Sequence, residues 1–155
     1  MVTAGSPTRL DPGAIVTRFL EAVQNDDIDF ARDVLDENIV YQNVGLPTIR
    51  GKQAVLRLFG ALENTSFGFE VDVQRTTTNG YTVMNERYDA LSFGPLRTQF
   101  WVCGVFEVSE RGTITLWRDY FDFAAVSRAF LRGLIGIVVL WVGVRIGSAR
   151  LDARY

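Results

Sequence analysis

The main change of apolar period along the chain falls near Phe67. Before Leu62 apolar positions recur at three- and four-residue spacing, as in helices with one buried face; from Phe67 they alternate, as in strands with one buried face. Asp11-Pro12 predicts a helix start, because Asp accepts from the first unpaired N–H groups and Pro suits the first helical turn. Ile15, Phe19, Ala22 and Val23 continue this helix on one side, and Asn25-Asp26-Asp27 ends it. A second, short helix is predicted over Ile28–Leu35, with Phe30, Val34 and Leu35 inward. A third is predicted over Gly51–Leu62, with Ala54, Val55, Leu58, Phe59 and Leu62 on one side. Between them, Asn38–Asn43 is a predicted strand followed by a turn at Gly45–Pro47.

Phe67, Phe69, Val71 and Val73 alternate with polar residues and open a run of strands. Asn79-Gly80 predicts a tight hairpin, after which strands are expected over Tyr81–Leu91, Arg97–Val108 and Thr113–Phe121, joined at Gly94-Pro95 and Glu110-Arg111-Gly112. Phe123–Gly143 is predicted to be helical. Its most apolar stretch, Leu134–Trp141, falls short of the roughly 20 residues a membrane span needs; Gly133, Gly136 and Gly143 punctuate it and Arg132 and Arg145 flank it. A pocket lid, a subunit contact or an interfacial segment suits it better than a span. Helices followed by a meander of strands give an α+β class: a curved mixed or antiparallel sheet wrapped around N-terminal helices, with a cavity between them. We expect one domain over 1–155, with a flexible N-terminus over about 1–10 and an apolar C-terminal helix and tail over 133–155.

Composition narrows the chemistry. The 155 residues are 48% hydrophobic and 22% charged, enough for a packed core. A net charge of −2 offers no basic field for a phosphate backbone, so no nucleic-acid partner is expected. The segment Met1–Gly13 has no continuous apolar stretch of signal-peptide type, which makes the cytoplasm the expected location. The single cysteine, Cys103, is compatible with a reducing compartment. Most telling is the absence of histidine. Ser-His-Asp and Cys-His catalysis are excluded, as are histidine-bearing zinc sites, so acid–base work falls to Asp, Glu, Lys, Tyr or water.

Three constellations could do such work. In Asn85-Glu86-Arg87-Tyr88-Asp89, strand alternation sets Arg87 and Asp89 on the face of Val83 and Leu91, either as an exposed ion pair or as a buried one. In Leu116-Trp117-Arg118-Asp119-Tyr120-Phe121-Asp122, Asp119 shares a face with Trp117 and Phe121. Burial there would raise its pKa and a nearby arginine would lower it again, the tuning a general base needs. In Tyr41-Gln42-Asn43, a phenol and an amide on one face can both hydrogen-bond a water molecule. Phe100, Val102 and Phe106 form an apolar face of the long strand, as core or, for the first two, as pocket lining.

Together with Gly104-Val105-Phe106, these stretches, in this order and spacing, resemble the limonene epoxide hydrolase family, over roughly Gly13–Phe123. The resemblance implies a cone-shaped α+β barrel related to nuclear transport factor and ketosteroid isomerase, a homodimer, no cofactor, and an epoxide and water as reactants. Carried over, Asp119 is the base that deprotonates water, Tyr41 and Asn43 hold that water, Asp89 protonates the epoxide oxygen, and Arg87 lies between the two carboxylates. Physics alone would allow the two aspartates to exchange roles. The pocket-lining positions fall on Leu91, Phe100, Val102 and Phe121. The segment Gly133–Tyr155 is longer and more apolar than in the limonene enzyme, closer to a lipid- or sterol-directed branch, and compatible with membrane association without spanning.

Two other functions fit the same pattern less well. A ketosteroid-isomerase-like activity could recruit Asp89, Asp119 and Tyr41, but Arg87 opposes keeping an aspartic acid neutral. A non-catalytic binder of apolar ligands would suit the aromatic content and the tail, but gives no reason for two aspartates and an arginine in one cavity.

Overall fold

The computed structural model describes residues 11–63, 67–124, 126–128 and 131. Helix α1, Pro12–Gln24, begins at Asp11, whose side chain accepts from the Ala14 N–H. It buries Val16, Phe19, Leu20 and Ala22, so the buried stripe runs beside the predicted one; Ile15 and Val23 sit at its margin. Helix α2, Ile28–Val34, is capped by Asp27 and buries Ala31, while Phe30 lies partly exposed under the Arg18 guanidinium, 4.3 Å from the ring centroid. Leu35 opens strand β1, Leu35–Asn43, three residues earlier than the pattern suggested. Helix α3, Lys52–Glu63, follows the two-residue strand β2, Ile49–Arg50.

The long strands then fold back on one another: β3 Phe67–Asn79, β4 Thr82–Phe93, β5 Leu96–Val108 and β6 Ile114–Tyr120. Gly80 makes the β3–β4 turn with φ +60°, a conformation that glycine adopts without strain. The six strands form one sheet in the order β2-β1-β6-β5-β4-β3. All pairs are antiparallel except β1 with β6, which run parallel. The curved, open sheet wraps the helices in an α+β arrangement. That single parallel pairing brings an N-terminal strand beside the last one.

The core lies between α1, α3 and the inner face of the sheet. Val16, Phe19, Leu20, Ile39, Val55, Val83, Phe106 and Ile114 are buried there. Each such side chain contributes roughly 1.5–3 kcal/mol by leaving water. Trp117 anchors the cluster, edge-on to Phe19 with centroids 5.1 Å apart and tilted against Tyr41 at 4.3 Å. Backbone beyond β6 is helical at Phe123, Ala124, Val126–Arg128 and Leu131. The rest of the predicted C-terminal helix, including Leu134–Trp141, and the N-terminal residues 1–10 lie outside the described residues. Among the described residues no helix is long and apolar enough to cross a membrane.

Candidate active site

The core does not close completely. A cavity of about 410 Å³ opens between the helices and the sheet. Apolar residues, among them Leu58, Phe59, Phe69, Leu91, Phe100 and Phe121, make most of its wall. Tyr41, Asn43, Asp89 and Asp119 line it as polar groups beside Trp117, and Gln24, Asp26 and Glu70 also reach its wall. Among the described residues no three His, Cys, Asp or Glu side chains are grouped as a metal site.

Strand pairing explains how these groups meet. Asn43 on β1 is the cross-strand partner of Asp119 on β6, Asp119 that of Gly104 on β5, and Gly104 that of Asn85 on β4. Cross-strand partners share a face, so one transverse row carries an amide, a carboxylate, a glycine and a second amide into the molecule. Arg87 and Asp89 follow Asn85 at two-residue steps and point the same way. Asn85, Arg87, Asp89 and Asp119 are all buried, at 3%, 0%, 4% and 4% exposure, an uncommon concentration of polar groups for an interior.

Arg87 binds the set together. Its Nε donates to Asp89 Oδ1 at 2.9 Å, its Nη1 donates to Asn85 Oδ1 at 2.9 Å, and its Nη2 lies 2.7 Å from Asp119 Oδ2. The last contact is a buried ion pair. Asp119 Oδ1, Asn85 Nδ2 and Trp117 Nε1 are buried without a hydrogen-bond partner among the described residues. Asn43 Nδ2 donates to the Tyr41 hydroxyl at 2.8 Å, and both residues line the cavity.

Protonation follows from burial. Loss of water pushes the Asp89 carboxyl from an ordinary 3.8 up to about 6, against the opposing pull of Arg87. Burial likewise raises Asp119, again opposed by Arg87. For Tyr41, burial and then the Asp119 charge push the phenol up to about 12, so it remains a donor at any working pH. Burial works against the Arg87 charge, but Asp119 and Asp89 outweigh it and hold the guanidinium protonated. With both aspartates ionised, the buried trio would carry a net charge of −1. One proton on the pair brings it to zero, and low dielectric favours that state. One neutral acid and one carboxylate, held by a common cation, is a machine for giving a proton and taking another.

Of the residues singled out in the sequence, Tyr41, Asn43, Asp89, Leu91, Phe100, Asp119 and Phe121 line the cavity. Arg87 lies fully buried against the two aspartates. Val102 is fully buried and is not among the lining residues. Sequence reasoning passed over Asn85, although the alternation that picked out Arg87 and Asp89 includes it. It also passed over Trp117, Phe59 and Phe69 as cavity walls, for which apolar periodicity gives no signal separate from core packing.

Fold and site together define a small α+β enzyme built around a buried Asp–Arg–Asp set, and comparison with known proteins specifies it. The family model of the limonene-1,2-epoxide hydrolase catalytic domain matches residues 11–132. Epoxide hydrolase EphG of Mycobacterium tuberculosis is 48% identical over 124 residues, covering 80% of this chain and 82% of that protein. The solved structure of an M. tuberculosis LEH-like epoxide hydrolase superposes with a TM-score of 0.76 at 46% identity, covering 86% of this chain and 98% of that one. The chain therefore belongs to the limonene-1,2-epoxide hydrolase family and is an epoxide hydrolase. A SnoaL-like polyketide cyclase from Shewanella denitrificans shares the fold alone, with a TM-score of 0.71 at 10% identity over 79% of this chain and 97% of that one.

Proposed function

We propose that this epoxide hydrolase opens an apolar epoxide, of terpene, lipid or sterol type, to a vicinal diol by one-step attack of water. The observation that carries the reading is a fully buried arginine joining two buried aspartates at the wall of a mostly apolar cavity. Asp119 is the base. Its Oδ1 has no hydrogen-bond partner among the described residues, and its strand neighbour Asn43, with Tyr41, supplies groups that orient a water beside it. Asp89 is the acid. It lies two strands away on β4, accepts from Arg87 Nε and lines the same cavity, within reach of a bound epoxide.

The step balances within these residues. Water oxygen bonds to an epoxide carbon as that carbon–oxygen bond breaks. The water proton passes to Asp119, and the Asp89 proton passes to the departing oxygen. Arg87 stays between a neutral and an ionised aspartate before and after, so the buried charge does not change during the reaction. Such proton transfers contribute about 10²–10⁴-fold each, and holding water and epoxide in line contributes further. Attack from the opposite side inverts the carbon. Leu91, Phe100 and Phe121 give the substrate an apolar seat. The absence of histidine fits this one-step route, since the covalent Asp-ester route of other epoxide hydrolases hydrolyses its intermediate with a His base.

We further propose that the enzyme works without a cofactor in the cytoplasm, as a homodimer. The outward face of β4–β6 leaves Met84, Tyr88, Trp101 and Tyr120 exposed, an apolar patch suited to a second copy. Diol formation from terpene, fatty-acid and sterol epoxides, by wild type and Asp119→Asn under metal-free conditions, tests the reading. Turnover that collapses in the variant supports it; turnover unchanged in the variant refutes the assignment of the base.

A further inference from the structure

Arg87 can serve both aspartates only because of what lies beneath it and beside it. Asp89 is on its own strand, but Asp119 is two strands away, beyond β5. The guanidinium must therefore cross the backbone of β5, and the β5 residue in the row between Asn85 and Asp119 is Gly104. A Cβ at Gly104 would overlap Arg87 Nη1 and would come within 2.6 Å of Asn85 Oδ1 and 2.9 Å of Phe106 Cε2. Its φ is not in the left-handed region, so backbone freedom does not account for the glycine. Close approach does.

Asn85 completes the arrangement. It is 3% exposed, its Oδ1 takes the Arg87 Nη1 that neither aspartate uses, and its Nδ2 has no partner among the described residues. Burying an amide with an unpaired N–H is destabilising, so the position serves something other than packing. A neutral acceptor there fixes one branch of the fork without adding a third carboxylate. With one proton on the aspartate pair the trio stays at zero net charge; an acid in place of Asn85 would upset that balance.

We propose that Asn85 and Gly104 are positioning residues that seat Arg87 across β5, so that one guanidinium holds the acid and the base at once. The inference rests on the catalytic reading above. Among the described residues, no charged side chain of α1, α3 or β3 is buried against the trio. The titratable groups facing Asp89 and Asp119 are Arg87, each other and Tyr41. Neither Asn85 nor Gly104 needs to meet substrate; both act through Arg87.

The test is a double-mutant cycle read by steady-state diol formation and circular dichroism. Asn85→Ala and Gly104→Ala are made in the wild type and in Arg87→Lys, whose ammonium has no Nη1 to be held or obstructed. In the wild type each substitution should lower kcat about 10–100-fold, the loss expected when a hydrogen bond to a charged group is broken, with KM within about threefold. In Arg87→Lys the same substitutions should cost less than about twofold, because coupled residues are not additive. Equal penalties in both backgrounds, or penalties on KM alone, would overturn the proposal and make the two positions structural. If Gly104→Ala does not fold, Asn85→Ala decides alone. Additive penalties alongside a collapse in Asp119→Asn would sink this inference only, whereas full turnover in Asp119→Asn would sink the catalytic reading beneath it.

Discussion

Replacing Asp89 with Asn should stabilise the protein while abolishing its activity. The Asp89 carboxyl is 4% exposed and binds its proton with a pKa of about 6 in the fold against 3.8 in the open chain. A group whose folded pKa is raised supports folding fully below the unfolded value and loses that support as pH rises through the folded value. Ionising Asp89 therefore costs the fold about 3 kcal/mol at pH 8. Asn keeps the shape and an oxygen for Arg87 Nε, and leaves Arg87 with one ionised partner at zero net charge. The gain at pH 8 should be about 2–3 kcal/mol, or about 4–12 °C in Tm for a chain of this size. It should shrink as pH falls from about 6 toward 4, where the wild-type acid is already protonated. Differential scanning fluorimetry across pH 4–8 measures the gain, and diol assays should show kcat reduced by at least about 10²-fold at every pH. A Tm that falls at pH 8, or a difference that does not vary with pH, would refute the account of Asp89 as an acid held neutral by burial.

Other perturbations follow from the same geometry. In the wild type, kcat/KM should decline as pH rises through about 6, where Asp89 gives up its proton; a profile flat from pH 5 to 8 would contradict this. Arg87→Met leaves two buried carboxylates without their cation, so both should take up protons. Stability should drop by about 3–5 kcal/mol at pH 8, recover in part at pH 5, and diol formation should cease, all measurable by chemical denaturation and product assay. Tyr41→Phe removes the hydroxyl that accepts from Asn43 and should reduce kcat about tenfold, with circular dichroism unchanged. Phe106→Ala empties a fully buried site against Trp117 and should cost about 3–5 kcal/mol in urea denaturation.

Much of this site was legible in the chain. Two-residue alternation placed Arg87 with Asp89 and Trp117 with Asp119, because in a half-buried strand a charged residue among apolar neighbours has only two faces to choose from. The turn residues around Gly80 and Gly112 fixed where the strands reverse. What alternation cannot give is which strands lie side by side. The parallel pairing of β1 with β6 joins Asn43 to Asp119 across about half of the chain, and no local signal announces it. Gly104 was unreadable for a related reason. A glycine in a strand signals a close approach, but the approaching group, Arg87, is identified only once β4 and β5 are in register. Asn85 was legible in principle, since it obeys the same alternation as Arg87, but a neutral amide carries no charge to attract notice.

The central claim is that water, activated by Asp119, attacks the epoxide directly. A single turnover with enzyme in excess over epoxide, run in ¹⁸O-labelled water, tests it most directly. The account predicts one labelled oxygen in the first-turnover diol and none in the protein. A first-turnover diol without label, with the heavy oxygen recovered instead in an aspartate carboxyl after further turnovers, would contradict it.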